Sequence, residues 1–406
     1  MRMLERYEGA PVEALRLATR QALVRLVDGA ISQRVDFVVL AGDIYDGDWR
    51  DYNTGLFFVA QIDRLTQAQI PVVMIAGNHD AANKMTRQLR LPTGATLLAA
   101  DEPGSVLFED LGVAIHGQSF ASAAVTENLA RHYPEPIAGM FNLGLLHTCA
   151  EGREGHDRYA PCTVEELRRK GYDYWALGHI HQHEILAADP LIVFPGNTQG
   201  RSIRELGEKG CVLVRSDGLQ PPQATRVPLH SAQWEQLRLR IGPDSTVDSV
   251  LQEAGESMAE YVRPSPDLAY VVRVRLEGDW PAGEKGLSHE EWEAELRSLS
   301  ARQGNGRVWI EKVRFDRRGS ASDEVCRPTH DDGAMGVVLD QVARLRESPS
   351  AQAIFRESIE ELMKSLPQEL RSEWTEQQPQ EEWLARAMDD VPNLLQEYFD
   401  REGGTG

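Results

Sequence analysis

No apolar run in this chain approaches the roughly 20 residues needed to cross a bilayer, so the pattern offers no membrane-spanning helix. The opening residues, Met1-Arg-Met-Leu-Glu-Arg-Tyr-Glu8, lack the apolar core of a secretory signal and set the expectation of a cytoplasmic protein. Cysteine is scarce. Cys149, Cys162, Cys211 and Cys326 are scattered and form no CxxC pair. That argues against a disulfide scaffold and a thiolate zinc site, and for free thiols in a reducing compartment. Positive charge is also in short supply: 43 Lys and Arg face 63 Asp and Glu, for a net charge of −20. A protein that binds nucleic acid through its whole surface is thereby disfavoured. An enzyme acting on nucleic acid is not, because bound divalent cations would offset site carboxylates and a local basic groove survives a negative total. Internal repeats are absent, and only Gly403–Gly406 is low in complexity.

What the chain does have is 406 residues, enough for two or three domains. Its centre of gravity is the stretch from Val35 to Asp80. Val35-Asp-Phe-Val-Val-Leu-Ala-Gly42-Asp43-Ile-Tyr-Asp46 is followed by a helical segment and then by Pro71-Val-Val-Met-Ile-Ala-Gly77-Asn78-His79-Asp80. Each short apolar run reads as a strand buried on both faces. Each ends in Gly and a polar cluster, at the strand ends where open α/β sheets bind ligands. Helical periodicity covers Pro11–Ile31 and Tyr52–Ala68, which gives a β-α-β unit with a parallel strand pair.

Short strands at Thr96–Leu98, Val106–Phe108 and Gly112–His116 suggest a second sheet. Phe141–His147 reads as a buried strand ending in histidine, and Tyr172–Gly178 as another running into His179 and His181. Thr163 is placed to cap a short helix with Glu166 at its third position. Strands at Leu191–Phe194 and Gly210–Val214 come next, and the first domain is expected to end near residue 230. Residues 231–318 alternate strand, helix, strand, helix, strand, the pattern of a small α+β domain. Residues 319–406 read as a polar linker and an acidic helical region with apolar stripes.

The polar groups at the strand ends, in order, are Asp43, Asn78, His79, Asp80, His147, His179 and His181. A single histidine ending a strand is usually structural. Four strands ending this way, two of them in compound clusters, point to a metal centre. Carboxylate, amide and imidazole donors without cysteine suit Mn²⁺, Fe or Zn²⁺ at a catalytic site. A pair of such ions activates water and clamps a phosphoryl group.

Gly-Asp-x-x-Asp, Gly-Asn-His-Asp, a strand-terminal His and Gly-His-x-His, in this order, resemble the signature of the calcineurin-like metallophosphoesterases. The longer contexts Gly144-Leu-Leu-His-Thr148, Tyr172-Asp-Tyr-Trp-Ala-Leu-Gly-His-Ile-His-Gln182 and Phe194-Pro-Gly-Asn-x-Gln-Gly-Arg201 resemble the bacterial DNA-repair exonuclease branch, the SbcD-type, YhaO-like subunits. The resemblance is strongest over residues 4–230. It implies an α/β fold: a two-layer metallophosphoesterase β-sandwich flanked by helices, with a capping domain and a helical C-terminal region. It implies two divalent metals, Mn²⁺ foremost, with DNA as substrate, an SMC-like ATPase as partner and a homodimer as assembly. Carried across, Asp43 would bridge both metals, Asn78, His147 and His179 would complete one site, and His181 would bind the other. His79 would act at the scissile phosphate, and Asp80 would orient its ring.

The family pattern also opens with a strand ending in Asp-x-His, and no such motif precedes Gly42. Two readings are open: a shortened form of a complete enzyme, or a one-metal or non-catalytic structural subunit. A phosphatase or cyclic-nucleotide phosphodiesterase on the same fold is a further alternative, since fold does not fix substrate. Candidate substrate contacts are Arg153 and His156 in the loop after His147, and Arg201 and Arg204 after Gly196-Asn197. His116 and His183 are expected to be structural and surface histidines.

Overall fold

The computed structural model describes residues 12–45, 52–82, 90–150, 159–263, 267–278, 280 and 286–316. All of these lie in the first of two compact units, Met1–Ser320; the second, Ala321–Gly406, lies outside the described residues, and with it the expected C-terminal helices.

Helix α1 (Val12–Gln33) leads into strand β1 (Val38–Leu40), helix α2 (Tyr52–Gln67), strand β2 (Val72–Met74) and the single turn α3 (Asn78–Ala82). β1 and β2 pair in parallel, with Leu40 opposite Met74, as the β-α-β reading requires. β3 (Ala95–Leu97) joins this sheet, parallel to β2, and not the second sheet where the sequence suggests it. Three residues that are only half-buried or exposed carry no signal of which sheet they pair with.

β4 (Gly104–Phe108), β5 (Val113–Gly117), β6 (Phe141–His147), β7 (Tyr174–Gly178), β8 (Glu184–Ala188) and β9 (Leu191–Phe194) form the second sheet, in the order β4-β5-β6-β7-β9-β8. Helix α4 (Val164–Arg169) precedes β7. It begins with the anticipated capping box, Thr163 bonding the Glu166 amide and Glu166 bonding back. A hairpin of β10 (Gly210–Arg215) and β11 (Gln223–Pro228) comes next. β8 and β11 are not evident in the sequence pattern, both being largely outside the core.

The two sheets stack face to face. In β2, Val72 and Met74 point to α1 and α2, where they meet Val27, Phe58, Ile62 and Leu65. Val73 and Ile75 point the other way, to Ile115, Leu143, Leu145, Ala176 and Val193 of the second sheet. That is why β2 reads as a continuous apolar run. The far face of the second sheet packs Leu146, Trp175, Leu177 and Phe194 against Leu167 and Tyr133. The two-layer α/β architecture expected from the sequence is present.

β12 (Ala232–Arg240), α5 (Val247–Tyr261), β13 (Ala269–Glu277), α6 (His289–Gln303) and β14 (Val308–Asp316) build a third sheet, wholly parallel, ordered β12-β13-β14. Both helices cover one face, burying Val250, Met258, Trp292 and Leu296 on Leu239, Val272 and Val274. The opposite face receives the start of α1: Leu15 and Ala18 pack on Trp234 and Val271.

Candidate metal centre

Two strand registers assemble the site. Leu40 opposite Met74 sets the Asp43 turn beside Gly77-Asn78, and the Leu40 carbonyl accepts from the Ile75 amide. His147 opposite Gly178 sets His179 one residue beyond His147. The two sheets then meet at their carboxyl ends, where His147 Nδ1 lies 2.9 Å from the Ala41 carbonyl.

Glycines make that approach possible. A Cβ on Gly77 would fall 2.6 Å from the Asp43 amide and 2.7 Å from the His147 ring. One on Gly178 would fall onto the Ala41 carbonyl oxygen. Gly42, at φ +89°, turns the chain in a conformation that side chains rarely adopt. Asp43 itself sits at φ +51° and His179 at φ +96°. Backbone strain in non-glycine residues of this kind gathers at functional sites.

Asp43, His147 and His179 bring one donor atom each within 4.8 Å of one another. Asn78 joins them, its Oδ1 being 3.0 Å from His147 Nε2. His147 is fully buried, with Phe120 edge-on to its ring at 5.1 Å and His179 tilted against it at 5.2 Å.

The donor set fits a divalent cation. A carbonyl only accepts, so the contact with Ala41 places the proton of a neutral His147 ring on Nδ1. Nε2 then presents a lone pair, and it faces Asn78 Oδ1 and, at 3.4 Å, Asp43 Oδ2. With the ring neutral, three acceptors converge with no proton between them, and a cation satisfies all three. An imidazole fixed through its far nitrogen is the usual arrangement behind a metal-ligating histidine. Burial raises the Asp43 carboxyl, but the hydrogen bond and charge of His147 in its protonated form, together with the amide of His79, outweigh it, and its pKa lies below the ordinary value.

His79 stands on α3, its amide donating to Asp43 Oδ1 at 3.1 Å. The expectation that Asp80 orients the His79 ring needs correction. Asp80 is buried, and its carboxylate accepts from three backbone amides: Ile44 at 3.1 Å, Tyr45 at 3.0 Å and Gly77 at 3.0 Å. It clamps the Asp43 turn to the Gly77 turn and so shapes the site from beneath. Burial and the Asp43 charge lift its pKa, against the pull of those three donors.

His181 is not among the clustered donors. Its Nδ1 lies 2.6 Å from Glu205 Oε1, and the buried Lys209 donates to its carbonyl at 3.2 Å. Glu205 is a functional candidate that sequence reasoning misses. The available signal is its place four residues after Arg201, whose amide and guanidinium also donate to it, at 2.7 and 3.2 Å. Burial opposes the charge on Glu205, but His181 and Arg201 hold its pKa down to about 2. Arg201 is therefore engaged with Glu205, not held out alone for phosphate. Arg204 is exposed, its amide bonded to Ser202 Oγ. Arg153 and His156 lie outside the described residues.

His116 is fully buried between Ser105 Oγ at 2.7 Å and Asn142 Oδ1 at 3.1 Å, as a structural histidine should be. His183 is half-buried, not a free surface group, and bonds the Phe194 carbonyl at 3.0 Å. Cys149, Cys162 and Cys211 are thiols outside any disulfide. No described helix is long and apolar enough to cross a membrane.

Comparison with known proteins agrees with this geometry. Residues 17–183 match the calcineurin-like phosphoesterase family, and residues 234–318 match the middle domain of metallophosphoesterase YhaO. The chain is 32% identical over 269 residues to "Uncharacterized metallophosphoesterase YhaO" of Bacillus subtilis (strain 168), a match covering 65% of each chain. It is 27% identical over 173 residues to "DNA double-strand break repair protein Mre11" of Sulfurisphaera tokodaii, covering 41% of this chain and 43% of the relative. The matches thus span less than two thirds of either relative. The chain carries a calcineurin-like metallophosphoesterase domain followed by a YhaO-type middle domain, and it is similar to YhaO over both.

Proposed function

We propose that this protein is a divalent-metal-dependent nuclease that hydrolyses phosphodiester bonds in DNA. The observation that carries the reading is the convergence of Asp43, Asn78, His147 and His179, with no proton to share among the first three when the His147 ring is neutral. The similarity to a double-strand break repair protein supports DNA as the substrate. In this reading Asp43, Asn78, His147 and His179 would hold one metal, and His181, together with Asp43, would serve a second. Mn²⁺ is the proposed ion, and it would activate water and polarise the phosphoryl group.

The chain's own groups do the rest. The His79 amide fixes one oxygen of Asp43, so the His79 ring is carried beside the site and supplies a proton or a positive charge to the leaving oxygen. Asp80 keeps the two turns together. Glu205 fixes His181 through Nδ1, which leaves Nε2 available as a ligand. We further propose residues 1–230 as the nuclease domain, 231–318 as a cap and 319–406 as a linker and helical region. A DNA-repair complex with an SMC-like ATPase, a homodimer and a cytoplasmic setting complete the reading. The thiols outside any disulfide support the last.

The test is degradation of end-labelled linear duplex DNA with and without Mn²⁺, with Asp43→Asn as control. Mn²⁺-dependent cleavage that vanishes in the control is the expected result. Hydrolysis of a small phosphomonoester with no action on DNA would replace the nuclease by a phosphatase. Silence on both, with the protein folded, would leave a structural subunit.

A further inference from the structure

The segment from Asn197 to Glu205 grips His181 at two points. The Asn197 amide donates to the His181 carbonyl at 3.2 Å, and Glu205 Oε1 lies 2.6 Å from His181 Nδ1. Between those points the segment forms neither helix nor strand. It has no ladder of its own, so its backbone groups must find partners elsewhere and its place is set by whatever ties it down. Gln199 supplies that tie. Its side chain is buried, and its Oε1 accepts from the amides of Ser231 at 2.9 Å and Ala232 at 3.3 Å. Its Nε2 donates to the carbonyls of Ala232 at 2.6 Å and Gly200 at 2.8 Å. Toward Ala232, the first residue of β12, the carboxamide thus pairs as a strand backbone would, accepting from N–H and donating to C=O.

Trp234 adds two bonds to the same segment and its continuation. Its Nε1 donates to the Gly200 carbonyl at 3.1 Å, and its own carbonyl accepts from the Gly207 amide at 2.9 Å. The approach is close: a Cβ on Gly200 would fall 2.8 Å from the Glu205 carbonyl oxygen and 3.2 Å from the Trp234 ring. Trp234 is itself seated in the core with Leu15, Ala18 and Val271. The position of Gln199 calls for a primary amide, which meets two donors with its oxygen and two acceptors with its nitrogen. A carboxylate would oppose two carbonyl oxygens. An apolar side chain would leave the Ser231 and Ala232 amides short of an acceptor, and burial makes that costly.

We propose that Gln199 is a positioning residue for His181. It fixes the segment Asn197–Glu205 to the start of the third sheet, and that segment holds both the carbonyl and the ring of His181. The orientation of the ring then depends on Ser231, Ala232 and Trp234 as well as on Glu205, which stands directly against it. The functional consequence, a well-placed Nε2 for a metal, rests on the reading of His181 given above; the control of its ring does not.

The test uses the full chain with ¹⁵N-labelled histidine, metal-free, and reads the His181 ring signals by NMR, assigned by their loss in His181→Gln. Gln199→Ala should shift or split them, as Glu205→Gln does. Met258→Ala is the control for a merely structural effect: it lowers the melting temperature by emptying the core between α5 and the third sheet, and should leave the His181 signals in place. Calorimetry with Mn²⁺ is the second readout. The binding event that His181→Gln removes should weaken about tenfold in Gln199→Ala, the size usual for partners behind a metal ligand, while the remaining event holds at wild type. Unmoved His181 signals in a folded Gln199→Ala would overturn the role, and so would an equal shift in Met258→Ala. Should Gln199→Ala fail to fold, Trp234→Phe decides, since it removes one bond to Gly200 and keeps an aromatic ring: a smaller shift of the same signals supports the role, and none refutes it. Mn²⁺ binding untouched by His181→Gln would take His181 out of the metal reading, and the ring signals would still decide whether Gln199 positions it.

Discussion

His147 Nδ1 and the Ala41 carbonyl lie 2.9 Å apart across the junction of the two sheets. This one contact locks the sheets at their carboxyl ends and fixes the proton of a neutral His147 on the side away from Asp43 and Asn78. Position and tautomer of a neutral central donor are thus set together.

His79 and His147 should therefore respond differently to mutation. Replacing either with alanine is expected to lower hydrolysis by about 10²-fold or more. Mn²⁺ affinity measured by calorimetry should collapse in His147→Ala and stay near wild type in His79→Ala. Equal metal loss in both would contradict the roles assigned.

Asp80→Asn should behave as a structural lesion, because the carboxylate accepts three backbone amides and does not bond the His79 ring. An amide nitrogen would face at least one donor. A loss of about 2 kcal/mol or more is expected, read as a lower melting temperature, with metal affinity falling alongside. An unchanged melting temperature with activity alone lost would restore Asp80 to a role through His79.

Glu205 gives a pH signature. Its pKa falls from 4.5 to about 2 on folding, so its contribution is fully present above the unfolded value and is lost as pH drops from about 4.5 through 2. A shift of that size corresponds to about 3 kcal/mol. Glu205→Gln should be less stable than wild type at pH 6, and the gap should close by pH 2. Parallel stability curves would remove Glu205 from the linkage.

Gly77→Ala should disrupt the site from the backbone. The added methyl meets the Asp43 amide and the His147 ring, neither of which can yield without moving a sheet. A cost of about 1–3 kcal/mol is expected. Gly112→Ala tests positive-φ strain alone, since nothing lies within 4 Å of its Cβ. Metal affinity should fall in the first variant and hold in the second.

The residue types of the site are legible in the sequence because strand ends advertise themselves. A buried run such as Pro71–Ala76 must stop, and it stops at a glycine and two polar side chains, Gly77-Asn78-His79. The Thr163 capping box is legible because its two bonds span only three residues. Elements 231–316 are legible because helical and strand periods alternate cleanly there.

Contacts distant in sequence were decided by tertiary structure. Ala41 and His147 are 106 residues apart, and nothing local reports that a carbonyl of one strand will fix the ring of another. The same holds for Asp80, whose neighbour in sequence is His79 but whose partners are the amides of Ile44, Tyr45 and Gly77. It holds for β3, which is too short and too exposed to declare its sheet. Sequence determined which groups stand at the ends of strands; the pairing register, which depends on burial of both sheet faces at once, decided which of them meet.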